Sequence, residues 1–160
     1  MQDPGKDPGK QPEKIVVTFG TFDVFHIGHL NILERASRLG TQLVVGVSTD
    51  ELNLRKKNRA PLYSQQDRIA IVSQLKCVSR VFYEHCLEKK REYLLQHGAD
   101  VLVMGDDWLG RFDEFADICE VVYLPRTPDI STTQLIAMAA LQQQEQQQQQ
   151  QQKTTDLCEL

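Results

Sequence analysis

The sequence predicts a single α/β domain built on a doubly wound, five-stranded parallel sheet. Three observations carry that expectation. Short runs of Val, Ile and Leu are apolar throughout instead of alternating, as strands covered on both faces are. Segments with helical spacing separate those runs. The composition is that of a globular protein: 160 residues, 41% hydrophobic and 25% charged, with a formal net charge of −4.

The elements follow in order. Residues 15–19 are β-branched and aromatic and end at Gly20, a buried first strand. From Gly28 to Leu39 the apolar residues Leu30, Leu33, Ala36 and Leu39 recur every three positions, one face of a helix stopped by Gly40. Residues 43–47 form a second apolar run, closed by Ser48, Thr49 and Asp50. Ser64 with Asp67 three positions on resembles a capping box opening a helix through Leu75. Residues 80–83 read as a third strand, and 88–96 as a helix stopped by Gly98. Residues 101–104 and 121–124 complete the strands, with a short helix at 113–119 between them. Ser131 can cap a last helix over 132–141.

The ends stand apart from this domain, which is expected over 14–141. Residues 1–13 repeat Asp-Pro-Gly-Lys and have no apolar residue after Met1, so a disordered tail is expected. Residues 142–152 are Gln except for Glu145, and 142–160 read as a low-complexity tail. Such a tract extends the preceding helix or stays disordered, and it can promote association.

The acidic balance argues against a nucleic-acid protein. No apolar run approaches the ~20 residues of a membrane span, and no signal-peptide stretch opens the chain. Cytoplasmic residence is therefore expected. Four widely spaced cysteines with no CxxC pair argue against a zinc site or a disulfide framework.

A parallel sheet of this kind binds ligands beyond the carboxyl ends of its strands. The candidates thus lie at 20–29, 48–50, 84–87, 105–108 and 125–132. In the first segment His26 and His29 stand three apart at a helix mouth, with Gly28 between them. A helix start offers unpaired N–H groups and partial positive charge, which suits a phosphate. Two imidazole donors on one phosphorus would stabilise charge developing on its oxygens. Metal ligation, or a helix cap beside a surface histidine, is the plainer reading of the same pair. The segment from Arg126 to Thr133 opens the last helix with the hydroxyls of Ser131, Thr132 and Thr133, a second anion site or a plain cap. Two anion sites on one sheet edge favour a polyphosphate. Asp106 and Asp107 bind Mg²⁺ or a ribose, or cap the next turn, and Asp107 is the one expected to face ligand. Residues 55–59, Arg-Lys-Lys-Asn-Arg, read as a basic loop, either solvated or a triphosphate clamp.

Taken together, T-F-G-T-F-D-x-x-H-x-G-H, S-T-D-E-x-N, M-G-D-D-W-x-G-x-F-D and E-V-V-Y-L-P-R-T-x-x-I-S-T-T resemble the glycerol-3-phosphate cytidylyltransferases of the HxGH nucleotidyltransferase superfamily. The resemblance covers about 15–141. It implies a Rossmann-like fold, a homodimer, and transfer of CMP from CTP to sn-glycerol 3-phosphate with Mg²⁺, whose ligands it leaves unassigned. It implies catalytic roles for His26, His29, Lys56 and Arg126. It assigns CTP binding to Thr21, Phe22, His26, Ile27, Gly28, His29 and Asp107, and to Arg126, Thr127, Pro128, Asp129, Ile130, Ser131, Thr132 and Thr133. Lys56 and Lys90 match acceptor-binding lysines. Asp23, Asp50, Arg68 and Asp107 match polar residues that line or brace the site.

The chain also departs from the pattern. Asn58 stands where the family has a second loop lysine, though Lys57 and Arg59 flank it, and one residue is inserted around Pro61. Lys76 and Ser79 replace an Arg and an Asp, and Pro128-Asp129 replaces a frequent Glu-Gly. The same chemistry on phosphoethanolamine or a sugar or polyol phosphate is the alternative. A catalytically silent nucleotide-binding module that associates through its Gln tract is the alternative of another class, and intact His26, His29, Arg126 and Thr132 speak against it.

Overall fold

The computed structural model describes residues 12–158, with side chains through residue 152. The Asp-Pro-Gly-Lys repeat, and with it most of the expected N-terminal tail, lies outside the described residues. The elements are β1 (Ile15–Gly20), α1 (Ile27–Ser37), β2 (Gln42–Ser48), α2 (Asp50–Lys57), α3 (Gln65–Ser73), β3 (Arg80–Glu84), α4 (Lys90–Gln96), β4 (Val101–Gly105), β5 (Glu120–Leu124) and α5 (Thr132–Cys158).

The strands pair in the order β3-β2-β1-β4-β5, all parallel. This is the doubly wound, Rossmann-like arrangement that the sequence predicts. Val17 lies between Val44 of β2 and Leu102 of β4, at the centre of the sheet. Successive residues of each strand face opposite sides, and both sides are covered. Val16, Val45, Val47, Val101 and Val103 pack with Leu33 and Ala36 of α1 and Val72 of α3. Val17, Phe19, Val44, Leu102 and Met104 pack with Leu94 of α4 and with Phe115 and Cys119. The unbroken apolar runs of the sequence follow directly from these two cores.

Strand order reverses between β1 and β4, so the connections leaving these two neighbours run to opposite sides. A crevice opens there at the carboxyl ends.

The structure corrects several local expectations. The supposed basic loop at 55–59 is mostly helix: Arg55, Lys56 and Lys57 form the last turn of α2, and Asn58 ends it in the left-handed region at φ 51°. Its sequence, DELNLRKK, has no apolar stripe, and the adjacent Leu52 and Asn53 are the buried pair. The short helix expected over 113–119 is a 3-10 turn, Asp113–Asp117. The helix begun by Ser64 stops at Ser73 instead of Leu75.

The last helix does not stop at Leu141 but runs 27 residues, through the Gln tract to Cys158, a rod of about 40 Å. Leu135 and Ile136 are half-buried against the domain, and residues 137–152 are all exposed. Gln is a good helix former, and nothing in the tract breaks the ladder. Among the described residues, no helix is long and apolar enough to cross a membrane.

Candidate active site

The turn after β1 is built under strain. Phe22 and Val24 both have positive φ, 55° and 45°, unusual for a bulky and a β-branched residue. Such strain persists only where the surroundings over-determine it, and here they do. Asp23 is buried between the two, and its carboxylate accepts from the backbone N–H groups of Leu62 (2.8 Å) and Tyr63 (2.9 Å). Its carbonyl accepts from the Thr132 hydroxyl at 2.8 Å. One residue thus ties the turn to the 58–63 loop and to the start of α5.

Arg68 provides a second brace. Fully buried, it donates to the carbonyls of Thr21 (2.6 Å), Ser48 (2.8 Å) and Tyr63 (3.1 Å) and pairs with Asp50 at 2.6 Å. The ends of β1 and β2, the loop and the start of α2 therefore share one guanidinium. Asn53, also buried, accepts from the Thr21 hydroxyl at 2.7 Å and donates to the carbonyls of Ser48 and Thr49.

His26 is the N-cap of α1. Its Nδ1 accepts from the Gly28 N–H at 3.0 Å, while His29 Nδ1 faces the His26 N–H at 3.4 Å, a reciprocal capping box. The cap reading of this pair is correct for the Nδ1 side of both rings. A neutral imidazole that accepts at Nδ1 carries its proton on Nε2, so each ring retains an N–H donor. The rings stack 3.8 Å apart. Burial, reinforced by Arg126, lowers the pKa of His26, and burial with the neighbouring His26 and Arg126 lowers that of His29 to about 3. Both rings are neutral at physiological pH. Gly28 is required for this packing, because a Cβ there would sit 2.8 Å from the His26 ring.

The Arg126–Thr133 segment is held against α1. Asn31 donates to the Thr127 hydroxyl at 3.2 Å and Arg35 to the Pro125 carbonyl at 2.7 Å. Ser131 Oγ accepts from the Gln134 N–H at 3.2 Å, the expected cap of α5. Arg126 and Asp107 approach to 3.5 Å across the mouth, both largely exposed.

These walls enclose a cleft of about 750 Å³ over the β1/β4 crossover. Thr21, Phe22, His26, Gly28, His29, Lys56, Lys90, Asp107, Arg126, Thr127, Ile130, Ser131, Thr132 and Thr133 all line it. Three expected residues do not. Ile27 is 53% exposed on the outer side of the first turn of α1. Pro128 and Asp129 form the turn before α5, with Asp129 at φ 60°, and neither is part of the lining.

The cleft also recruits residues for which sequence reasoning found no role. Asn53 was visible only as the last letter of S-T-D-E-x-N. Ser48, the first letter of the same motif, and Glu84, in no motif, fall within strand-end segments. Phe19 and Phe112 were visible only as letters of T-F-G-T-F-D-x-x-H-x-G-H and M-G-D-D-W-x-G-x-F-D, and Arg111 gave no signal.

At the far wall Glu84, 1% exposed, accepts from Lys90 at 2.6 Å through Oε1 and from the Ser48 hydroxyl at 2.7 Å through Oε2. Lys90, 2% exposed, lies 3.5 Å from the centre of the Phe19 ring. Among the described residues, no three His, Cys, Asp or Glu side chains converge as a metal cage.

Comparison with known proteins bears on this arrangement. A family model described as cytidylyltransferase-like matches residues 17–138. The chain is 50% identical over 122 residues to a glycerol-3-phosphate cytidylyltransferase of Bacillus subtilis (strain 168), a match spanning 76% of this chain and 94% of that one. It is 40% identical over 122 residues to a glycerol-3-phosphate cytidylyltransferase of Staphylococcus aureus (strain NCTC 8325 / PS 47), with 76% and 92% covered. Among solved structures it is similar to the lipopolysaccharide core biosynthesis protein from Thermoplasma volcanium GSS1, with a TM-score of 0.62 and 23% identity over 72% of this chain and 98% of that one. At that identity the likeness concerns the fold alone.

Proposed function

The chain belongs to the cytidylyltransferase-like family of nucleotidyltransferases, and from that premise we propose that it transfers CMP from CTP to sn-glycerol 3-phosphate. A phosphate oxygen of the acceptor bonds to the α-phosphorus of CTP. The bond from that phosphorus to the bridging oxygen breaks, and CDP-glycerol and pyrophosphate leave. The observation that carries this reading is the meeting, in one cleft, of the neutral histidine pair with the Arg126–Thr133 anion segment, beside Lys56 and Lys90.

Charge accumulates on the α-phosphoryl oxygens during displacement. The Nε2–H donors of His26 and His29 answer it without a proton transfer, as pre-aimed hydrogen-bond donors in a partly water-excluded site. Arg126, the Ser131 hydroxyl and the backbone N–H groups at the N-terminus of α5, that of Thr132 among them, take the remaining phosphates. Lys56 and Lys90 hold the acceptor phosphate.

Mg²⁺ belongs to the same proposal. The ion typically keeps one or two protein carboxylates and otherwise binds substrate phosphates, which fits a cleft without a cage. Asp107 is the carboxylate on the open wall that would hold it, since those of Asp23 and Glu84 are engaged within the protein. When bound, the ion supplies neutralisation of the triphosphate charge. The homodimer that the resemblance implies and the cytoplasmic residence expected from the sequence form part of the proposal.

Pyrophosphate release is the test, with CTP or ATP offered against glycerol 3-phosphate, phosphoethanolamine and sugar phosphates. CTP with glycerol 3-phosphate is expected to lead by orders of magnitude, because a purine leaves the pyrimidine partners of the base pocket unpaired. Equal turnover with ATP overturns the cytidylyl assignment, and preference for another phosphate overturns the acceptor.

A further inference from the structure

Glu84 touches both lysines of the acceptor wall. Its Oε1 takes a 2.6 Å hydrogen bond from Lys90. Its Oε2 takes one from the Ser48 hydroxyl at 2.7 Å and lies 3.8 Å from Lys56 Nζ. Ser48 Oγ in turn accepts from Lys56 at 3.5 Å. The result is a chain, Lys56 to Ser48 to Glu84 and back to Lys90, spanning α2, β2, β3 and α4.

A buried ion pair is a poor device for stability, since a hydrophobic pair of similar volume commonly serves as well or better. Here the pair forms the wall of a cleft, with a second, less buried cation, Lys56, attached. An ammonium has three donors. Lys90 directs one to Glu84 and has the Phe19 ring at 3.5 Å, and it still lines the cleft.

We propose that Glu84 is the positioning residue of the acceptor subsite, holding the Lys90 and Lys56 ammonium groups at a spacing that fits one phosphate while making no contact with that phosphate itself. This deepens the cytidylyltransferase reading and rests on it. Two cations and one anion leave a single net positive charge on this wall, enough to attract a phosphate monoester without trapping it. Without the carboxylate, two ammonium groups would face each other across a desolvated surface, and they would separate or lose a proton. Burial already lowers the pKa of both lysines, and Glu84 is the group that opposes the drop in each. The other charged groups on the lining are Lys57 beside Lys56, Arg59, Arg111, Arg126, Asp23 and Asp107.

The experiment uses the full chain. With CTP saturating, Glu84→Gln is expected to raise KM for glycerol 3-phosphate about 10- to 100-fold and to leave KM for CTP within about twofold. The alkaline limb of kcat/KM for the acceptor should move to lower pH, because the carboxylate that favours protonated lysine is gone. Glu84→Asp should recover part of both effects. Binding of inorganic phosphate to the CTP-loaded protein, followed by calorimetry, reads the same subsite without turnover. If the wild type binds phosphate but ignores glycerol 3-phosphate, the acceptor assignment fails, and loss of that binding in Glu84→Gln still supports the positioning role. Should Glu84→Gln fail to fold, Ser48→Ala leaves the Glu84–Lys90 pair in place and is expected to raise acceptor KM several-fold. An unchanged acceptor KM and alkaline limb in the folded variant, or equal losses for CTP and acceptor, would overturn the proposal.

Discussion

On the β1 wall, burial acts on His29 together with the neighbouring His26 and Arg126, and its pKa falls to about 3. On the β3 wall Lys90 is buried more deeply, yet a carboxylate stands 2.6 Å from its nitrogen. One wall therefore presents uncharged donors, the other paired charges. Each arrangement suits the task proposed for it. A neutral N–H aimed at the reacting phosphorus adds little to ground-state binding and strengthens as charge develops. A paired ammonium, in the role proposed for Lys90, is available to the acceptor phosphate before any bond changes. Residue type starts the difference, since an imidazole ordinarily titrates near 6.5 and a lysine ammonium near 10.5, and neighbours widen it, because a carboxylate lies against Lys90 while His26 and Arg126 stand beside His29.

The histidines give the largest expected break in this comparison. His29→Ala should lower kcat by about 10²–10³, with smaller changes in either KM. His26→Asn keeps an acceptor for the Gly28 N–H while losing the Nε2–H donor, so it separates capping from catalysis. It should lose nearly as much kcat as His26→Ala yet melt closer to the wild type, because removing an N-cap costs about 1 kcal/mol. Lys56→Ala should instead act on the acceptor KM, by roughly tenfold. Steady-state kinetics on the four variants decides this, and a well-folded His29→Ala enzyme with near-normal kcat would leave the pair as a cap only.

The pH dependence gives a smaller effect of definite sign. The folded-state pKa of His29, about 3, lies below its ordinary value of 6.5. Between those values the unfolded chain binds a proton that the folded chain does not, so stability is full above pH 6.5 and declines as pH falls toward 3. Urea midpoints for the wild type should drop over that window, and His29→Gln should lessen the drop. The acid limb of kcat should carry no ionisation near 6.5. Such a limb, if it vanished with His29, would mean that the ring is protonated in the resting enzyme.

The smallest effect is expected from the helical extension. A chain spanning 14–141 should keep kcat/KM for CTP within a few-fold, because residues 137–152 are exposed and away from the cleft lining. Abolished turnover would show that the first turns of α5 depend on the tract for their own stability.

Much of this was legible in the sequence, for reasons that differ by element. The strands announced themselves because both faces of the sheet are covered, which forces unbroken apolar runs. His26, His29 and the Arg126–Thr133 segment were visible because helix starts have a recognisable chemistry. Helix α2 was hidden: it buries one apolar residue, Leu52, beside Asn53, which is held by its hydrogen bonds, so no apolar period marks it. Glu84 was hidden for a related reason. A single acidic residue at a strand end acquires meaning only when β2, α2 and α4 bring Ser48, Lys56 and Lys90 to it. The helical course of residues 142–158 was one of two outcomes that a Gln tract allows, and composition does not choose between them.

The clamp that Asp23 places on the loop has a consequence for how this protein can vary. It grips Leu62 and Tyr63 only by their backbone N–H groups, and every residue type except proline supplies that group. The loop's anchorage is therefore indifferent to its spelling. Length and side chains between Asn58 and Tyr63 can drift while the register against the histidine turn is kept. The side chains this loop brings to the cleft, Arg59, Ala60 and Pro61, can thus be exchanged without disturbing the histidine turn.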